Sequence, residues 1–156
     1  MTTLGLMRHA KSSWDDAGQS DFDRPLNARG RAAAERMGRE LKQRGIRFDH
    51  VLASPATRVR ETLDRLALGY GALPEVQFDE RIYAASEHML VELIRALSAS
   101  YAAALVVGHN PGMHQLLSAL TGEVRDKFPT GAVAMIELDS PVKGRLEALI
   151  LPRELD

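Results

Sequence analysis

The chain contains no cysteine. A disulfide framework, a zinc site built on thiolates and any enzyme with a thiolate nucleophile are therefore excluded. Charge of one sign is also lacking: 20 Lys and Arg against 21 Asp and Glu leave a formal net charge of -1. Nucleic-acid binding over a broad basic face, or membrane anchoring by a polybasic stretch, needs an excess that is not there. Any cluster of arginines must be local. No long apolar run occurs; the first one, Leu4-Gly5-Leu6-Met7, meets Arg8 at once. That is unlike a signal peptide or a membrane span, and it makes a cytoplasmic location the default expectation. Repeats and low-complexity tracts are absent as well. What remains is a chain of 156 residues, 45% hydrophobic and 26% charged, which suits one globular domain over residues 1–156 with a core of its own.

Apolar runs alternate with helical patterns along the chain. After the first run, residues 15–25 are polar and turn-rich, and Asn27 stands where an N-cap belongs before the helix formers of Ala28 to Arg44. Ala33, Met37 and Leu41 share one face of that helix, with Ala34 and Gly38 beside them, and Gly45 is placed for a left-handed C-terminal cap. A strand at Val51-Leu52-Ala53 leads to Ser54-Pro55, which reads as a cap and first-turn pair for a helix carrying Val59, Leu63 and Leu66. A short strand at Val76-Phe78 precedes a helix capped by Ser86 and carrying Leu90, Leu93, Ile94 and Leu97. The strand Ala104-Val107 is followed by a helix with Met113, Leu116, Leu117 and Leu120. Two last runs, Ala132-Leu138 and Arg145-Leu151, flank a turn and predict a hairpin. This order predicts an α/β three-layer sandwich, a mostly parallel central sheet flanked by helices, with an antiparallel edge and no large cap domain.

Three of the strands end in polar motifs. Arg8-His9-Ala10 closes the first, Ser54-Pro55-Ala56-Thr57-Arg58 the second, and Gly108-His109-Asn110-Pro111-Gly112 the strand after Val107. In an open parallel sheet the carboxyl ends of the strands form the ligand crevice, so these motifs meet if their strands are neighbours. Helical side chains lean toward the N-terminus, so Arg58 reaches back over the sheet edge while Arg60 points elsewhere. Forked hydrogen bonds from Arg8 and Arg58 suit a phosphoryl group, and a neutral imidazole is a competent nucleophile toward phosphorus. One of His9 and His109 would attack and the other would steady the transferring group. His50, His88 and His114 have no partner at metal-ligand spacing, and no metal or organic cofactor is expected.

The stretches Leu6 to Trp14, Arg24 to Gly30, Ser54 to Thr62 and Val107 to Gly112 together resemble the histidine phosphatase superfamily, the phosphoglycerate mutase-like group with an Arg-His-Gly signature. The resemblance spans essentially the whole chain and is nearest to the small SixA-type phosphohistidine phosphatase branch. It implies that His9 is the phosphorylated nucleophile, that Arg8 and Arg58 bind phosphate, and that His109 is the second pocket histidine. Ala10 stands where the signature has glycine, a replacement familiar in the SixA-like branch. In the mutases the catalytic glutamate lies in an Asn-Glu-Arg-His-Tyr stretch after the third strand. Asp79-Glu80-Arg81-Ile82-Tyr83 is similar and makes Glu80 the candidate general acid. Such a role asks for a pKa raised by burial, whereas Arg81 and the pocket arginines would lower it. Glu87 is a weaker rival because a helix N-terminus favours its charged form.

Lys11, Ser12 and Ser13 either line the pocket mouth or form a polar loop, and Trp14 faces substrate or anchors that loop. Thr130-Gly131-Ala132 opens the hairpin and either approaches the pocket through its backbone or stays clear of it. The connection from Phe78 to Ser86 is too short for a cap that encloses a small ligand, so an open site and a phosphorylated protein or peptide are the expected substrate class. A small phosphorylated metabolite is the alternative, and a non-catalytic phosphate-binding module is the alternative from another class. No feature of the sequence sets the oligomeric state.

Overall fold

Alternation with a period of two decides which way each strand faces. The structure, a computed structural model, describes residues 2–155. In chain order the elements are β1 (Thr2–Arg8), α1 (Ala28–Gln43), β2 (His50–Ala53), α2 (Thr57–Tyr70), β3 (Val76–Phe78), α3 (Glu80–Tyr83), α4 (Glu87–Ser100), β4 (Ala103–Gly108), α5 (Gly112–Thr121), β5 (Val133–Ser140) and β6 (Lys143–Ile150), with a last helical turn at Pro152–Glu154. Leu4 and Leu6 of β1, Ala104 and Val106 of β4, and Ala134 and Ile136 of β5 point into one core, with the apolar faces of α4 and α5. Met7, Leu105, Val107, Val133 and Met135 point into the other, with Met37 and Leu41 of α1 and Val59, Leu63 and Leu66 of α2. Both faces of the sheet are thus covered by helices. That is the three-layer sandwich expected, and no large cap is added to it.

The sheet runs β3-β2-β4-β1-β5-β6. β3, β2, β4 and β1 pair in parallel, and β5 and β6 add the antiparallel edge. β1 and β4 are direct neighbours, with Arg8 opposite Gly108, and β4 pairs β2 with Val107 opposite Ala53. After β1 the chain turns to the face that α1 covers, and after β4 to the face that α5 covers. Their following loops part, and a crevice opens between them at the switch point of the sheet.

Local chemistry sets most helix ends. Asn27 accepts a bond from the Gly30 amide at 2.8 Å, and Ser86 accepts one from Met89 at 3.2 Å. Gly45 adopts a positive φ of 72° past the end of α1. The buried face of α1 is Gly30, Ala34, Met37, Gly38 and Leu41, so Ala33 lies at its margin rather than at its centre. A methyl group added at Gly38 would stand 2.1 Å from the Leu66 carbonyl, and one at Gly69 2.1 Å from the Glu35 carbonyl. The two helices therefore meet backbone to backbone, where overpacking costs about 1–3 kcal/mol. α3, a single turn, fills the connection between β3 and α4. The hairpin turn is tighter than the sequence suggests, with the strands running to Ser140 and from Lys143. No described helix is long and apolar enough to cross a membrane.

Candidate active site

β1 delivers Arg8 and His9 to the crevice. His9 is 5% exposed. Its amide donates to the Gly108 carbonyl at 3.0 Å, tying the β1 loop to the end of β4. The Gly131 amide, at φ 77°, donates to the carbonyls of Arg8 (3.0 Å) and His9 (2.9 Å) from the other side. Ala10 is fully buried against Leu26 and Ala34, and its amide donates to Thr62 Oγ1 at 3.0 Å. Thr62 Oγ1 in turn donates to the Arg58 carbonyl at 2.6 Å. The loop carrying His9 is thus held by three separate elements before any ligand arrives.

The two imidazoles lie with ring centroids 5.2 Å apart. His9 Nδ1 is 2.7 Å from the Ala10 carbonyl, which only accepts, so Nδ1 carries the proton and Nε2 keeps a free lone pair. His109 Nε2 is 2.7 Å from Ser54 Oγ, and His109 Nδ1 is buried without a partner. Burial pushes His9 down to about 3 against the Ala10 hydrogen bond, which raises it; the charges of Arg58 and Arg8, and of His109 once that ring is protonated, lower it further. Burial and then Arg58 push His109 down to about 4. Both rings are neutral at neutral pH.

Arg58, 5% exposed, donates through Nη1 to the Asp21 carbonyl (2.7 Å) and through Nη2 to the Asp21 carboxylate (3.1 Å). The same carboxylate accepts from Tyr83 Oη at 2.6 Å and pairs with Arg24 at 3.2 Å. The Tyr83 bond, then those from the arginines, hold Asp21 down to about 2, although its side chain is half exposed. Arg8 Nη1 donates to the Phe128 carbonyl at 3.3 Å. Nε of Arg8, Arg24 and Arg58 is in each case buried and unpartnered. A buried N–H with no acceptor is costly, and three of them on arginines whose charges all act on His109 give the crevice an excess of donors that suits an anion with several oxygens.

The structure brings Arg8, His9, Arg58 and His109 together. Glu80 is exposed at the start of α3, with no hydrogen bond to these groups among the described residues. Arg81 pairs with Asp79 at 2.6 Å rather than with Glu80. From that turn it is Tyr83 that enters the crevice, edge-on to His109 at 5.5 Å. Arg60 donates to the Pro55 carbonyl and stacks over Phe78, away from the crevice. Ser54 does not cap a helix: α2 begins at Thr57 with no side-chain cap, and the Ser54 hydroxyl, which accepts from the Ala56 amide at 3.3 Å, serves His109 instead. Ser12 receives a bond from Arg24, Ser13 from the Asp15 amide, and Lys11 is exposed. Trp14 is 77% exposed with the Arg24 guanidinium 3.6 Å from its ring centroid. His50 stacks on Tyr101 and His114 bonds the Arg125 carbonyl. Among the described residues, no three His, Asp or Glu side chains are grouped to hold a metal ion.

Asp21, Arg24, Tyr83 and Ser54 are site neighbours that sequence reasoning did not assign. The one signal for Asp21 was indirect, since buried arginines in a nearly neutral chain need a carboxylate to face them.

The two histidines carry a pH dependence. Unfolded, each binds a proton near 6.5; folded, they resist until about 4 and about 3. The unfolded state therefore holds more protons in between, and stability is lost as pH falls from about 6.5 toward 4. Asp21, with its depressed pKa, loses its contribution only below about pH 4. The urea midpoint of the wild type should drop across pH 6.5 to 4.5 more steeply than that of His9→Gln/His109→Gln. Parallel curves would show that the rings titrate freely.

A crevice of paired neutral imidazoles among guanidiniums, at the switch point of a parallel sheet, is built for phosphoryl chemistry. The sequence model of the histidine phosphatase superfamily (branch 1) matches residues 4–104. The chain belongs to that superfamily and is a phosphatase. It is 29% identical over 154 residues to phosphohistidine phosphatase SixA of Escherichia coli K12, covering 96% of this chain and 94% of that protein. The structure of protein histidine phosphatase SixA complexed with tungstate superposes with a TM-score of 0.89 at 26% identity, over 97% of this chain and 98% of that one. Mycobacterial glucosyl-3-phosphoglycerate phosphatase shares the fold at TM-score 0.73 and 15% identity, over 95% and 98% of the two chains.

Proposed function

We propose that the protein is a phosphohistidine phosphatase, acting on a phosphorylated protein or peptide through a phosphohistidine formed on His9. The observation that carries this reading is the set of unpartnered buried nitrogens, Nε of Arg8, Arg24 and Arg58 and Nδ1 of His109, around the one imidazole whose Nε2 is left free. Arg8 and Arg58 hold the phosphoryl oxygens. His109 donates from Nδ1 to the transferring group when the Ser54 hydroxyl donates to its Nε2. In the first step His9 Nε2 attacks phosphorus while the bond from phosphorus to the substrate imidazole breaks. The leaving imidazole takes a proton on its free nitrogen beforehand and departs neutral. The Ala10 carbonyl, as acceptor of the Nδ1 proton, stabilises the charge that phosphorylated His9 carries. In the second step water attacks phosphorus, the bond to Nε2 breaks, and His9 regains its lone pair as phosphate leaves with the water proton.

Two things support a protein substrate. The connection from Phe78 to Ser86 holds only the single turn of α3, so nothing large covers the crevice. The likeness to SixA, a phosphohistidine phosphatase, points the same way. The test compares kcat/KM for phosphohistidine proteins with that for metabolite phosphates; a panel on which metabolites are favoured by about 100-fold overturns the reading. Glu80 is proposed as general acid for ester substrates only, since an imidazole leaving group takes its proton elsewhere. Glu80→Gln should lower kcat on an aryl or alkyl phosphate by about 10-fold to 100-fold and on phosphohistidine by less than about threefold. Equal losses would remove Glu80 from that role.

A further inference from the structure

Of the buried side-chain nitrogens without a partner, one lies outside the phosphoryl crevice: Nε of Arg36. Other atoms of Arg36 line a cleft of about 400 Å³ between α1, the turn at Pro129 and Thr130, and the helical turn at Pro152–Glu154. Lys11, Arg29 and Arg153 line the same cleft. None of these four cations has a carboxylate within 4.0 Å among the described residues. Elsewhere along α1 and at its end, Arg39 pairs with Glu35 at 3.2 Å and Arg44 with Glu40 at 2.7 Å, while Arg31 and Lys42 form no ion pair among the described residues but lie outside the cleft. In a chain of net charge -1, four cations left unpaired around one cleft mark a place where negative charge from outside is accepted.

The cleft adjoins the crevice. The turn after Phe128 is their shared wall: the Phe128 carbonyl faces the crevice and takes the Arg8 bond, while Pro129 and Thr130 face the cleft. Lys11 follows His9 by two residues, a span of at most about 7 Å. A polypeptide that presents its phosphoryl group to His9 has the cleft within reach of the residues next to the phosphorylated one.

We propose that this cleft binds acidic side chains flanking the phosphorylated residue of the protein substrate, and so selects phosphoproteins with a negative rim. The inference rests on the phosphohistidine phosphatase reading and adds a specificity site to it. Exposed ion pairs are individually weak, so several together are needed for selection, and salt weakens them. The cleft is partly apolar and the four side chains are spread around it, which suits a peptide better than a single small anion.

The test uses the full chain and synthetic phosphohistidine peptides with glutamates or, at the same positions, glutamines around the phosphorylated residue. An aryl phosphate serves as the reference. The wild type should favour the acidic peptide by about tenfold in kcat/KM, mainly through KM, and less so at high salt. Arg29→Gln/Arg153→Gln should lose most of that preference and hydrolyse the aryl phosphate unchanged. Equal turnover of both peptides by the wild type overturns the cleft's role and leaves the phosphohistidine reading intact. Failure to hydrolyse either peptide, with the aryl phosphate still turned over, overturns that reading and the cleft's role with it. Because the peptide comparison is made on the wild type, misfolding of the variant would not shield the proposal.

Discussion

His9→Ala is expected to lower kcat/KM by about 10⁴-fold or more on every substrate, leaving only what phosphate binding supplies without a nucleophile. The reasoning starts from the tautomer. With Nδ1 bound to the Ala10 carbonyl at 2.7 Å, Nε2 is the sole atom of His9 with a lone pair to offer. His109 is a poorer candidate because its Nε2 is engaged by Ser54 at 2.7 Å. A wild-type sample mixed with a labelled phosphodonor and quenched should carry an acid-labile, base-stable phosphoryl group that His9→Ala lacks. His109→Ala should still take up label, more slowly, because it removes a donor to the transferring group and not the attacking atom. Label on His9→Ala, or turnover within tenfold of the wild type, would move the nucleophile elsewhere. Phosphate affinity without turnover in the wild type would make the crevice a binding module.

How much of this was legible beforehand depends on the range of the interaction. The covered faces of the sheet could be read from β1 and β4, whose apolar runs do not alternate with polar residues. The Asn27 and Ser86 caps were legible because a cap acts within three residues. That β1 lies beside β4 was a condition in the sequence, since strand order is decided by pairings about a hundred residues apart. Ser54 was misassigned for a related reason: locally it looks like a cap, but an imidazole from another strand claims its hydroxyl. Asp21 escaped notice altogether. It lies in an aperiodic turn, and its bonds to Arg58 and Tyr83 span 37 and 62 positions. Similarity of motif points to Glu80 and gives no role to Tyr83 of the same turn, which stands edge-on to His109.

Arg58→Ala should lower kcat/KM by about 10³-fold, and Arg58→Lys by about 10²-fold, since lysine restores the charge but not the planar fork. The fold should tolerate both. Thr62 Oγ1 anchors the Ala10 amide and bonds the Arg58 backbone carbonyl, so the loop holding His9 does not depend on the arginine side chain. What is lost is a buried guanidinium that Asp21 occupies and orients in the absence of ligand. An arriving phosphoryl group competes with that carboxylate for the same donors, so Asp21→Asn should bind inorganic phosphate at least as tightly as the wild type, whereas Arg58→Ala should bind it far more weakly. The histidines give a second readout. The Arg58 charge holds both His9 and His109 down, so its removal should raise both titrations, which ring-proton NMR can follow. Wild-type phosphate affinity in Arg58→Ala, with both rings titrating as before, would show that Arg58 serves only to pin the Asp21 turn.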